Sequence, residues 1–345
     1  MSKLTATSSR HAMHGENGTA GALFAGERAA LRALLGRFAP LFVLMALGLG
    51  IGALNHDFFD PMNLARIAIA AVIPLTIALG GTFVIQLGSI DLSAEGIVAV
   101  AAIGVSMLVE NSFNGNQYGL WAVAVGIVAG VLLGLTNGVL HVALRIPSFI
   151  TTLAVGFVAT GIGTAVLSGN TIRVSDMALR SISITRYAGL PLSVWIAVVA
   201  LGLAYFVHRH TVLGRHALSI GGGEDLARLN GVRVARIRIA VFALAGAFYG
   251  LAGILAVAQY GQGHAMIANG QLFVAITAIV VGGTSLAGGN GGPLNTLIGT
   301  LVVVVLANGM VLLGVPPYVQ QGIQGVLIIA AVTLALNRSR RRIVK

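Results

Sequence analysis

The chain has 345 residues, of which 57% are hydrophobic and only 9% charged, with a net charge of +11 and no cysteine. A soluble globular domain carries about 25% charged residues, so this composition excludes one. The missing thiols exclude disulfides, a thiolate metal site and a cysteine nucleophile. Apolar runs of about 20 residues recur, the length a helix needs to cross a bilayer, so the expected class is all-α.

In chain order, residues 1–37 are polar and low in complexity and read as a disordered cytoplasmic tail. They are a poor fit to a cleaved signal peptide, because the first apolar run continues as an anchor would. About ten transmembrane helices are expected, at roughly 38–54, 64–86, 95–110, 119–141, 147–168, 191–207, 237–260, 271–287, 294–313 and 317–336. The third, sixth and eighth are short for a crossing and read as tilted or broken. Glycine is frequent (47 residues), as suits helices that approach closely in lipid. Residues 38–336 then form one membrane domain, and 337–345 a basic cytoplasmic tail.

Charge orients this ladder. The arginines sit at span ends, which favours the positive-inside rule over nucleic-acid binding. With the N-terminus inside, the inner segments hold Arg28, Arg32, Arg37, Arg145, the arginine-rich loop 208–237 and the tail RSRRRIVK. Both termini are then cytoplasmic. Residues 169–190 depart from the rule: Arg173, Arg180 and Arg186 fall outside.

Within loop 208–237 the stretch GGGEDLARLNGVR predicts a short helix at 224–229. Gly221 to Gly223 break the chain before it, and Asn230-Gly231 stop it. Acidic Glu224 and Asp225 suit its first turn. By shape this is a docking element, or else a solvated connector. The only lysines are Lys3 and Lys345, so the body of the chain has no P-loop lysine. ATP hydrolysis by that route would have to come from another polypeptide.

Among the buried polar candidates, Asp91 and Glu95 in GSIDLSAEG are the carboxylates deepest in apolar sequence. Charge there is expensive and marks function, or else SIDLS is a helix break with Asp91 or Ser93 capping the next helix. The runs Gly80-Gly81-Thr82 and Gly282-Gly283-Thr284 read either as matching breaks in an inverted structural repeat or as close helix packing. Asn137 and Asn308, with Ser148, Thr151 and Thr152, read as interhelical hydrogen bonds or as groups facing a hydroxylated solute. The pathway set is Asp91, Ser93, Asn137, Thr151, Thr284 and Asn308. The histidines do not cluster as metal ligands, with His208 and His210 reading as solvated, and there is no GxSxG or triad spacing. The chain reads as a non-enzyme with no cofactor.

The stretch GRHALSIGGGEDLARLNGVRVARIRIAVFALAG resembles the cytoplasmic loop of permease subunits of ribose-type ABC sugar importers, around that family's GRxxxAxGGNExAARLSGI pattern. In the same order, LGGTFVIQLGSIDLS at 79–93, LTNGVL at 135–140, IPSFITTLAVGFVATG at 146–161, VGGTSLAGGNGG at 281–292 and IGTLVVVVLANGMVLLGV at 298–315 also match. The resemblance implies a bundle of about ten spans that imports a monosaccharide or related small polar solute across the bacterial inner membrane. It implies two ATP-binding ABC subunits, a periplasmic sugar-binding protein, and a second permease copy, together with the lipid bilayer and no nucleic acid. The coupling loop carried over is Gly222, Gly223, Glu224, Asp225, Ala227, Arg228, Leu229 and Gly231. Two departures stand out. Leu272 and Val274 occupy positions that are Glu and Asp in the family, and Gly223 replaces an Asn. An ion-coupled secondary carrier is the alternative, with Asp91 and Glu95 as its carboxylates. A membrane scaffold or channel component is a third reading.

Overall fold

The computed structural model describes residues 38–340. The expected tail 1–37 and the last residues of the basic tail lie outside them. Helices fall at all ten expected positions: α1 (Phe38–Leu54), α2 (Pro61–Gln86), α3 (Ala94–Leu108), α4 (Leu120–Leu144), α5 (Ser148–Val166), α7 (Leu192–His210), α10 (Val234–Tyr260), α11 (Gln271–Val281), α12 (Pro293–Leu312) and α13 (Pro317–Arg340). Between them lie three helices outside the span count, α6 (Met177–Ile184), α8 (Val212–Gly222) and α9 (Glu224–Leu229). Two small antiparallel pairs are also present: β1 (Ile172–Arg173) with β4 (Gln262–Gly263), and β2 (Arg186–Tyr187) with β3 (Leu190–Pro191). Among the described residues six helices are long and apolar enough to cross a membrane: α2, α4, α5, α7, α10 and α12. The chain is an all-α multi-pass membrane protein.

The long helices α2 and α10 form the centre, buried by α3, α4 and α11. Without a hydrophobic driving force in lipid, close approach decides packing. Helix α4 lays Gly126, Gly130 and Gly134 on Gly246 and Gly250 of α10, and a Cβ on Gly130 would overlap the Gly246 carbonyl. Around this seam Phe83, Phe242, Phe248 and Tyr249 fill the core, with Phe83 and Phe248 stacked at 6.4 Å.

Two of the three crossings expected to be short are so, and for one reason. With 15 and 11 residues, α3 and α11 reach only about 22 and 17 Å, less than a bilayer core of about 30 Å. Each is preceded by a non-helical leg that covers the remaining depth, open chain in 89–93 and mostly turns in 264–270. Residues 87–93 climb beside α5, where Ile90 N–H donates to Ser148 Oγ (3.0 Å) and Leu92 N–H to Thr152 Oγ1 (2.9 Å). Residues 261–270 return beside α3. Their start pairs with β1, Ala265 packs on Ile103, and Leu272 N–H reaches Glu95 Oε1 at 3.0 Å. Backbone off the helical ladder survives at this depth because other protein groups satisfy it. The sixth crossing, α7, has 19 residues and needs no such device.

The N-termini of α3 and α11 therefore meet inside the bundle and the two half-helices run in opposite directions. The series long helix, non-helical leg, half-helix, long helix occurs twice, as α2–α4 and as α10–α12. This doubled order of elements places the expected matching breaks elsewhere than the two GGT runs. Gly80-Gly81-Thr82 lies within continuous α2, where Gly80 packs on Ala245 of α10 and Gly81 on Ile279 of α11. Only Gly282-Gly283-Thr284 ends a helix.

Candidate functional site

At the end of the bundle where α7 stops, the chain folds into α8 and α9 before entering α10. Helix α8 is amphipathic, burying Ala217 and Ile220, and it starts on the Thr211 side chain, which accepts from Gly214 N–H. Gly221 and Gly222 belong to its last turn. Only Gly223 is the break, which shortens the expected Gly221–Gly223 interruption.

Helix α9 occupies the span expected, Glu224–Leu229. It ends at Asn230, and Gly231 takes φ +77°, a left-handed geometry costly for other residues. Glu224 is its anchor. One carboxylate oxygen meets Arg228 one turn on, and the other meets Arg238 on α10, both at 2.6 Å. Partial burial pushes the Glu224 carboxyl up, but the hydrogen bonds and charges of Arg228 and Arg238 outweigh it and hold it below the usual range. Ala227 is buried, whereas Asp225, Arg228, Leu226 and Leu229 face outward, the leucines 66% and 84% exposed. A recess of ≈ 380 Å³ opens beside them, lined by His216, Ser219, Gly222 and Gly223 among others. The charged helix thus presents two exposed leucines beside the recess.

Deep in the bundle, Asp91 and Ser93 stand where the first leg enters α3. Asp91 Oδ1 accepts from Ser93 N–H (2.9 Å) and Ser93 Oγ (2.6 Å), and Ser93 Oγ accepts from Asn137 Nδ2 of α4 (2.7 Å). Ser93 holds the N-cap position of α3, with Asp91 bracing it from the turn before. Asp91 Oδ2 and Asn137 Oδ1 have no hydrogen-bond partner. Glu95, from the first turn of α3, caps α11 instead.

The other pathway candidates are scattered. Thr151 bonds only back to Pro147 in its own turn, at 3.4 Å. The neighbours that hold the leg are Ser148 and Thr152. Asn308 and Asn63 exchange two amide hydrogen bonds (3.1 and 3.0 Å) between α12 and α2, and Asn63 also donates to Phe58 O. Thr284, buried against Gly291, leaves its Oγ1 without a partner. Reading by residue type missed Asn63, which sits at the polar end of a span, and the His208–Gln86 contact (3.3 Å). That contact leaves His208 half-buried rather than solvated.

The pattern of the family described as "Branched-chain amino acid transport system / permease component" matches residues 63–332. The ribose import permease protein RbsC of Escherichia coli (strain K12) is 34% identical over 85% of this chain and 90% of its own length. The L-arabinose ABC transporter permease protein AraH of Azospirillum brasilense is 31% identical over 90% and 91%. RbsC of Bacillus subtilis (strain 168) is 32% identical over 88% and 93%. No solved structure matches the chain.

Proposed function

Because the chain belongs to the family of branched-chain amino acid transport system permease components, we propose that this inner-membrane permease subunit of an ABC importer passes a monosaccharide or a related small polyol. The solute class follows from relatives named for ribose and L-arabinose. Those names also favour an ABC importer over an ion-coupled carrier. The chain itself is not an enzyme. Separate ABC subunits supply ATP hydrolysis, a periplasmic binding protein delivers the solute, and a second copy of the permease completes the pathway. Both termini and the segment 208–237 face the cytoplasm, in keeping with the arginines collected there.

One observation carries the coupling part. Helix α9 presents Leu226 and Leu229 outward, and Glu224 ties it to Arg238 on α10, the most central helix after α2. A push on α9 therefore enters the bundle's core directly. Glu224→Arg combined with Gly222→Val reverses the anchor's charge and fills the recess. The expected result is loss of ATPase co-purification and of uptake. Parental levels of both in this variant would end the docking reading.

A further inference from the structure

Residues 282–292 run from the end of α11 across the end of α2 and against the end of α8. Three backbones meet there with no side chain between them. Gly289 N–H donates to the Gln86 carbonyl at 2.9 Å. A Cβ on Gly288 would stand 2.7 Å from Gly88 N and 2.9 Å from Gly221 Cα, and one on Gly289 would stand 2.7 Å from Gly222 Cα. A Cβ on Gly221 would overlap the Gln86 carbonyl and stand 2.5 Å from Gly289 N. Gly288 and Gly289 also hold φ of +85° and +70°, which side chains resist. A second tie closes the knot: Gln86 Nε2 meets His208 Nδ1 at 3.3 Å, and Gly292 packs on the same imidazole.

The three members lead to different places. Gly221 and Gly222 stand immediately before Gly223 and α9. Gln86 to Gly88 begin the leg that climbs to α3. Gly288 and Gly289 lie between the end of α11 and the start of α12. We infer that this junction of Gly221–Gly222, Gln86–Gly88 and Gly288–Gly289 is the joint that delivers movement of α9 to both half-helices at once. Close-packed backbone cannot slide freely, so a displaced α9 carries with it the leg that leads into α3 and the segment that leaves the end of α11. Gly221 is thus a positioning residue for transport. This inference rests on the docking reading of α9.

The test uses the assembled importer, permease with ATPase subunits and binding protein, in lipid nanodiscs and vesicles. Gly221→Ala should keep the ATPase bound and hydrolysing ATP, while solute imported per ATP falls about 10-fold. Gly202→Ala, a site in α7 with open space around it, should keep the parental ratio. The chain has no native cysteine, which permits a second readout that needs no crowding substitution. Nitroxides on Asn230→Cys and Ala287→Cys, both exposed positions, should keep a constant separation between nucleotide-free and ATP-bound states. Labels on Asn230→Cys and Trp121→Cys should change theirs. A fully coupled Gly221→Ala complex, or an Asn230–Ala287 separation that changes as much as the Asn230–Trp121 one, overturns the joint while leaving docking intact. An α9 that binds no ATPase in the parent chain overturns docking and the joint together.

Discussion

Glu224→Gln removes the charge that holds α9 to α10 while keeping the side chain's shape. The pair with Arg228 is a one-turn helix pair whose arginine is 63% exposed, and is worth about 0.3–0.5 kcal/mol. The pair with Arg238 joins partners 22% and 31% exposed, and is worth up to about 1 kcal/mol. Together they stabilise docked α9 by up to about 1.5 kcal/mol, at most roughly a tenfold shift in its local opening. Amide hydrogen exchange reads this at Ala227, Asn230, Gly231 and Val232, whose N–H groups bond to Gly223, Leu226, Arg228 and Ala227. At neutral pH protection at these amides should fall measurably in the variant, by up to about 10-fold. The arginines hold the folded Glu224 pKa below its ordinary 4.5, so its stabilisation is complete above that range and drains away as pH falls through the lower folded value. Parent and variant should therefore converge in acid and differ most at neutral pH. Added salt should shrink the difference, because both pairs are partly open to solvent. Equal protection at neutral pH, or a gap that persists unchanged in acid, would refute the argument.

Three further outcomes follow from the packing. Gly130→Ala should destabilise the detergent-solubilised chain by about 1–3 kcal/mol through overpacking against Gly246, whereas Gly202→Ala should be neutral or gain up to about 1 kcal/mol from helix propensity, as read by thermal melts. Asn308→Leu strands the Asn63 amide and should cost about 1–3 kcal/mol, with most of it recovered in Asn63→Leu/Asn308→Leu, since both partners are then apolar. Leu272→Glu sets a second carboxylate beside Glu95 at the start of α11 and should lower stability by more in the parent than in a Glu95→Gln background, a coupling that a double-mutant cycle measures.

The helices at the ten expected positions were legible because each is an apolar run, and hydropathy does not depend on what the run packs against. The legs were not. Residues 261–270 look like an outer loop by composition, yet they return into the bundle because Ile103 and Glu95 of α3 receive them. Helix α8 was hidden for a related reason. Its sequence VLGRHALSIGG is polar enough to pass for loop and ends in two glycines, and its helical state is bought by burying Ala217 and Ile220. Helix α9 was readable because Gly223, the acidic first turn and Asn230-Gly231 are local signals. Polar partners joined across 177 residues, as Glu95 to Leu272, or across 245, as Asn63 to Asn308, leave no local trace. The two family acids that Leu272 and Val274 replace drew attention to α11, and the carboxylate found there comes from α3.

The two deep carboxylates have structural work that follows from the broken crossings. A half-helix that starts inside the membrane leaves N–H groups pointing into apolar surroundings, and its positive end attracts an acceptor. Asp91 braces the start of α3 and Glu95 serves the start of α11, so the architecture accounts for both without a coupling ion. If that is their role, energy must enter elsewhere, and α9 is the element proposed above to receive it. Asp91→Asn should then weaken the fold modestly, since the amide oxygen still accepts from Ser93 N–H and Oγ but as an uncharged and weaker acceptor, while solute imported per ATP stays at the parental ratio in vesicles. Uptake by the parent should also persist when an uncoupler dissipates the proton gradient and ATP is maintained. Uncoupler-sensitive uptake in the parent that is lost selectively in Asp91→Asn would show instead that Asp91 carries a driving proton.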